Sequence, residues 1–115
     1  MMTPNNAVRS LGALAQEHRL KAFRLLVQAG PEGLAAGVLA AALGVAASSM
    51  SFHLAQLLHA GLVTQQRHGR SIRYTADFDA MNGLMAFLTD NCCGGESCTK
   101  ELHCAPILPN QGRAA

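Results

Sequence analysis

The chain has 115 residues, 50% of them hydrophobic and 14% charged, with a formal net charge of +2. That is material for one domain around one core, and it excludes a disordered chain and an enzyme with separate cofactor and substrate domains. Aromatic residues amount to only 4%, with no Trp, so the core must come from Ala and Leu, which favour closely packed helices. Gly33 to Gln66 carries no formal charge, but its unbroken apolar part ends at Ala47, short of the ~18–20 residues of a membrane span. No basic cluster leads an apolar stretch at the N-terminus, so no signal peptide is read and a cytoplasmic location is expected.

Helical spacing of Val8, Leu11 and Leu14–Ala15 predicts a first helix over 7–15. A second runs from about Arg19 to Ala29, with Leu20, Phe23 and Val27 on one face, and Gly30-Pro31 ends it. Leu34, Val38, Leu39 and Leu43 mark a short Ala-rich helix closed by Gly44, and Met50, Leu54, Leu57 and Leu58 mark another from Ala47 to His59. Two short helices about a Gly44-Val45 turn, the second polar at its start, fit a helix-turn-helix. Beyond Gly61 the period becomes extended: 62–67 and 71–75 read as two strands around the turn His68-Gly69-Arg70. A last helix spans about Phe78 to Asp90, with Met81, Leu84, Met85 and Leu88 at i, i+3, i+4 and i+7. The expected class is mainly α with a β-hairpin wing, a winged helix-turn-helix. Residues 1–91 form its DNA-binding and dimerisation domain, and 92–115 a cysteine-containing tail, loose from Ala105 onward.

Charge is divided along the chain. Residues 1–75 hold seven Lys/Arg and two Asp/Glu, whereas 76–115 hold two and five. A basic front suits a polyanion, although a lopsided solvated surface has the same composition. On the fourth helix Ser48, Ser49, Ser51, His53 and Gln56 can bond phosphates or base edges. The alternatives are that the serines are ordinary caps and that His53 packs beneath the hairpin. On the hairpin, Arg67, Arg70 and Arg73 are candidates for the DNA backbone or minor groove. Against them stand a charge-protected edge hairpin and a structural pairing of Arg73. Double-stranded operator DNA is the expected partner, with no membrane. One module has a small footprint, so a two-fold dimer is expected, with Val8, Leu11, Met81, Leu84, Met85 and Leu88 as interface candidates unless these stripes are plain core.

All four cysteines, Cys92, Cys93, Cys98 and Cys104, lie within thirteen residues near the C-terminus. Without an export signal, metal or metalloid binding is a better reading than disulfides. Adjacent cysteines suit zinc knuckles poorly, but Gly94-Gly95 lets Cys98 return to Cys92 and Cys93, giving three soft thiolates for a trivalent metalloid. A zinc site completed by Cys104 and His103 is the rival, and incidental free thiols the plain alternative.

With these residues in view, the chain resembles the arsenic-responsive (ArsR-type) winged-helix repressors. The resemblance rests on Ala13-Leu14-Ala15-Gln16-Glu17-His18-Arg19-Leu20, Ser51-Phe52-His53-Leu54-Ala55-Gln56-Leu57, Ala60-Gly61-Leu62-Val63, Gly69-Arg70 and Tyr74, and covers roughly residues 7–90. It implies a homodimeric repressor, not an enzyme, that leaves its operator when an inducer ion binds. Three departures stand out. Ala35 and Gly37 occupy the family's usual inducer-cysteine positions, residues 78–90 lack the His of zinc sensors, and Ala55 replaces a common Lys or Arg. The sulfur that remains is similar to a subset of arsenite sensors with a C-terminal Cys-Cys pair and a downstream Cys. Trivalent arsenic is therefore the expected inducer, with antimonite acting alike and methylarsenite needing only Cys92 and Cys93. A zinc- or cadmium-responsive or structural-zinc DNA-binding protein is the alternative, and an arsenic-handling thiol enzyme a distant one.

Overall fold

The computed structural model describes residues 2–91. The elements are α1 (Pro4–Leu14), α2 (Glu17–Ala29), a 3₁₀ turn (Gly30–Glu32), β1 (Leu34–Ala35), α3 (Ala36–Leu43), α4 (Ala47–His59), β2 (Val63–His68), β3 (Ser71–Ala76) and α5 (Phe78–Leu88). The Thr3 hydroxyl accepts from the Asn6 amide at the start of α1, and Asp77 accepts from Ala80 at the start of α5. Each satisfies an amide that the helix leaves without an internal partner. α1 begins at Pro4, three residues ahead of the expected start, because Pro suits the first helical turn.

Ala22, Leu26, Leu39, Met50, Leu54, Leu57 and Leu62 are fully buried and form the centre of one core. The helices of the helix-turn-helix, α3 and α4, meet at 113°, within the usual range for this motif. Gly44 makes the turn in a left-handed conformation, with its amide on the Ala40 and Ala41 carbonyls and the Val45 amide on the Ala40 carbonyl. Among the described residues no single helix is long and apolar enough to cross a membrane.

One element departs from the sequence reading. Leu34–Ala35, expected to open the third helix, is a short strand pairing with Tyr74 and Arg73. The sheet thus has three antiparallel strands in the order β1-β3-β2. Gly33 permits this pairing: its φ is +68°, and a β-carbon there would run into the Tyr74 carbonyl and the Thr75 methyl. In the hairpin, Val63 pairs with Ala76 and His68 with Ser71, so a two-residue Gly69-Arg70 loop closes it. Gly69 adopts φ +64° at the first loop position, which matches the twist of the strands.

Candidate nucleic-acid interface

α4 turns Met50, Leu54 and Leu57 into the core and leaves Ser48, Ser49, Ser51, Phe52, Ala55 and Gln56 exposed. Its N-cap is Ala46, with no side-chain cap. The serines are therefore not spent as caps, and the first intrahelical amide bond runs from Met50 to Ala46. The amides of the first turn are left to face an external anion, at the positive end of the helix dipole.

His53 is arranged differently from the sequence expectation. It is half-buried, and its ring stands 5.7 Å from that of His18 on α2, centroid to centroid. The Nδ1 atoms of both rings are buried without a hydrogen-bond partner. Burial, then the charges of Arg19 and His18, pushes the His53 imidazolium pKa below its ordinary value. His53 thus packs inward, against α2 rather than beneath the hairpin. This packing gives His53 a part in positioning α4 against α2.

On the wing, Arg67 and Arg70 are exposed, and among the described residues the one salt bridge is Lys21–Glu17 on α2. Arg73 is half-buried and donates from Nη1 to the Glu32 carbonyl at 3.2 Å. This is the structural pairing weighed as its alternative, and it binds the wing to the 3₁₀ turn. Arg19 is likewise internal, its Nε donating to the Ala13 carbonyl at 2.6 Å across the α1–α2 junction.

The candidate dimer residues divide. Val8 (70%), Leu11, Met85 and Leu88 (57%) are exposed. Leu84 is buried within the protomer and Met81 is partly buried against its core, the plain-core alternative weighed for these stripes. α1 turns the small Ala7 and Ser10 inward, which lets it lie close to the domain and puts its larger apolar residues outside. Cys92, Cys93, Cys98, Cys104 and His103 lie outside the described residues. Among the described residues there is no group of three or more His, Cys, Asp or Glu able to hold a metal.

Comparison with known proteins accords with this geometry. A helix-turn-helix domain family matches residues 14–66. The chain is 33% identical over 79 residues to the HTH-type transcriptional regulator YgaV of Escherichia coli (strain K12), covering 69% of this chain and 80% of that protein. The fold matches an ArsR-like transcriptional regulator from Rhodococcus sp. RHA1 with a TM-score of 0.69 and 26% identity, over 85% of this chain and 87% of that one. The chain belongs to the ArsR-like winged helix-turn-helix transcriptional regulators. It is also similar to the homodimeric winged helix-turn-helix DNA-binding domain Mb0332 of Mycobacterium bovis, with a TM-score of 0.61 and 27% identity over 81% of this chain and 86% of that one. As a member of this family the chain is a DNA-binding transcriptional regulator. Two features of its site escaped the sequence reading: the inward His18–His53 pair and the outward Phe52. Phe52 was legible in principle, since helical spacing sets it opposite Met50, Leu54 and Leu57.

Proposed function

We propose that this regulator is a homodimeric repressor that releases operator DNA when trivalent arsenic binds Cys92, Cys93 and Cys98. The observation that carries the DNA-binding part is the uncapped N-terminal turn of α4, with Ser48, Ser49, Ser51 and Gln56 exposed on the same helix. The turn supplies phosphate contacts, Gln56 a base-edge contact, and Arg67 and Arg70 of the wing further backbone contacts. Val8, Leu11, Met85 and Leu88 provide the apolar surface for a second copy, which sets two α4 helices on successive half-sites.

The donor set supports the choice of inducer. Four thiols within thirteen residues match a soft, trivalent, sulfur-seeking ion better than a hard cation. The adjacent pair and Cys98 supply three thiolates. The ion supplies a strong cross-link among sulfurs that follow α5 directly in the chain. A bias on α5, whose Met85 and Leu88 belong to the proposed dimer surface, alters how the two α4 helices are presented.

The test is fluorescence anisotropy on a duplex enriched by the protein from a random library, with arsenite titrated in. The expected loss of affinity is about 5–150-fold, the range of ordinary allosteric coupling, and it should vanish in Cys93→Ser. A wild-type response from that variant overturns the three-sulfur assignment. Metal analysis of the purified protein separates this reading from structural zinc.

A further inference from the structure

Phe52 is 58% exposed at the middle of α4. At 3.6 residues per turn it points almost diametrically away from Met50, Leu54 and Leu57, the buried face of the helix. It lies one turn beyond Ser48 and one turn before Gln56, with Ala55 beside it at i+3 and likewise exposed. Its ring meets His53 edge-on, 6.0 Å between centroids, and His53 is in turn held against His18. The Phe52 ring is thus propped on an anchored neighbour.

An exposed aromatic is out of place on a surface that otherwise offers hydroxyls, an amide and free helix amides. It cannot bond phosphate, and leaving it in water forgoes the stabilisation of apolar burial. It does not fill the core, where the fully buried residues lie on the opposite side of the helix. In the major groove, the apolar group presented by a base edge is the 5-methyl of thymine. We propose that Phe52, with Ala55, reads a thymine methyl in each operator half-site and is a specificity-determining residue of this regulator. The inference rests on the placement of α4 in the major groove argued above. Ala55 fits the same role: exposed at i+3, it keeps the strip beside Phe52 apolar. Sequence preference then comes from a methyl contact beside the hydrogen bonds of Gln56.

Replacing thymine by deoxyuridine removes the methyl and keeps every hydrogen-bonding group, so it isolates this contact. The probes are the library-enriched duplex and the same duplex with each thymine in turn replaced by deoxyuridine, titrated with wild type, Phe52→Ala and Phe52→Leu. Loss of one buried methyl weakens binding about fourfold per half-site, and about fifteenfold when both half-sites are changed. Wild type should show this loss at one thymine per half-site. Phe52→Ala should bind the thymine and deoxyuridine duplexes equally, and Phe52→Leu should keep part of the discrimination. Thermal unfolding of each variant checks that the fold is intact, as an exposed site predicts. A wild type indifferent to deoxyuridine at every position overturns the inference, as does a Phe52→Ala variant that discriminates like wild type; the latter result assigns Phe52 to another partner. Failure to enrich or bind any duplex at low salt overturns the placement of α4 itself, so the two failures are told apart.

Discussion

Arg70 sits in the two-residue loop at the tip of the wing, exposed and without an ion pair among the described residues. Replacing it with Ala should remove one phosphate contact per protomer, hence two from a dimer on its operator. Each contact contributes about 0.9 to the slope of log affinity against log salt concentration, so Arg70→Ala should flatten that slope by about 1.8. Over a fourfold range of salt, from about 50 to 200 mM, that difference amounts to roughly a twelvefold change in the ratio of wild-type to variant affinity. The defect is therefore largest at low salt and shrinks as salt rises. Anisotropy titrations at four or five salt concentrations measure the slope directly. Arg73→Ala provides the contrast, because its guanidinium is engaged with the Glu32 carbonyl and should leave the slope nearly unchanged. An Arg70→Ala slope equal to wild type, or an Arg73→Ala slope that falls as far, refutes the assignment of the wing tip to the phosphate backbone.

Three further outcomes are expected. Leu54→Ala, at a position with no exposed surface, should cost about 2–5 kcal/mol through lost burial and a residual cavity, read as a lower urea midpoint with unchanged slope. Because the pKa of His53 is lowered in the folded chain from 6.5, the unfolded chain binds more protons in the window below that value. Stability should then fall as pH drops from about 6.5 through the lowered folded value, and His53→Gln should reduce this dependence in urea titrations between about pH 5 and 8. Leu88→Glu puts a charge on the exposed apolar end of α5 and should shift the protein from dimer to monomer in sedimentation equilibrium, with the monomer fold retained by circular dichroism.

Much of the architecture was legible residue by residue. The spacing of Met50, Leu54 and Leu57 marked α4 over its observed span, and the change of period after Gly61 marked the wing. The one misread element and the alternatives that the sequence left open share one cause. Leu34–Ala35 looked helical because its apolar residues continue the α3 pattern, but strand pairing with Tyr74 and Arg73, some forty residues away, decided otherwise. Val8 and Leu84 sit on apolar stripes that a linear pattern cannot orient. Packing buries Leu84 and exposes Val8, because α1 approaches the domain through Ala7 and Ser10. His53 has the residue type of a DNA contact and the position of a packed side chain.

The sequence by itself determined the order of the five helices and the hairpin, the helix-turn-helix with its basic wing, and the gathering of every thiol after α5. Periodicity, Gly and Pro placement and cysteine spacing act within a few residues, so the linear chain carries them. Only the tertiary structure decided which apolar residues remain outside, which arginines are tied to carbonyls, and that His53 leans on His18 while Phe52 faces out. Those outcomes depend on which distant segments come into contact, and burial and hydrogen bonding between them are settled when the core closes.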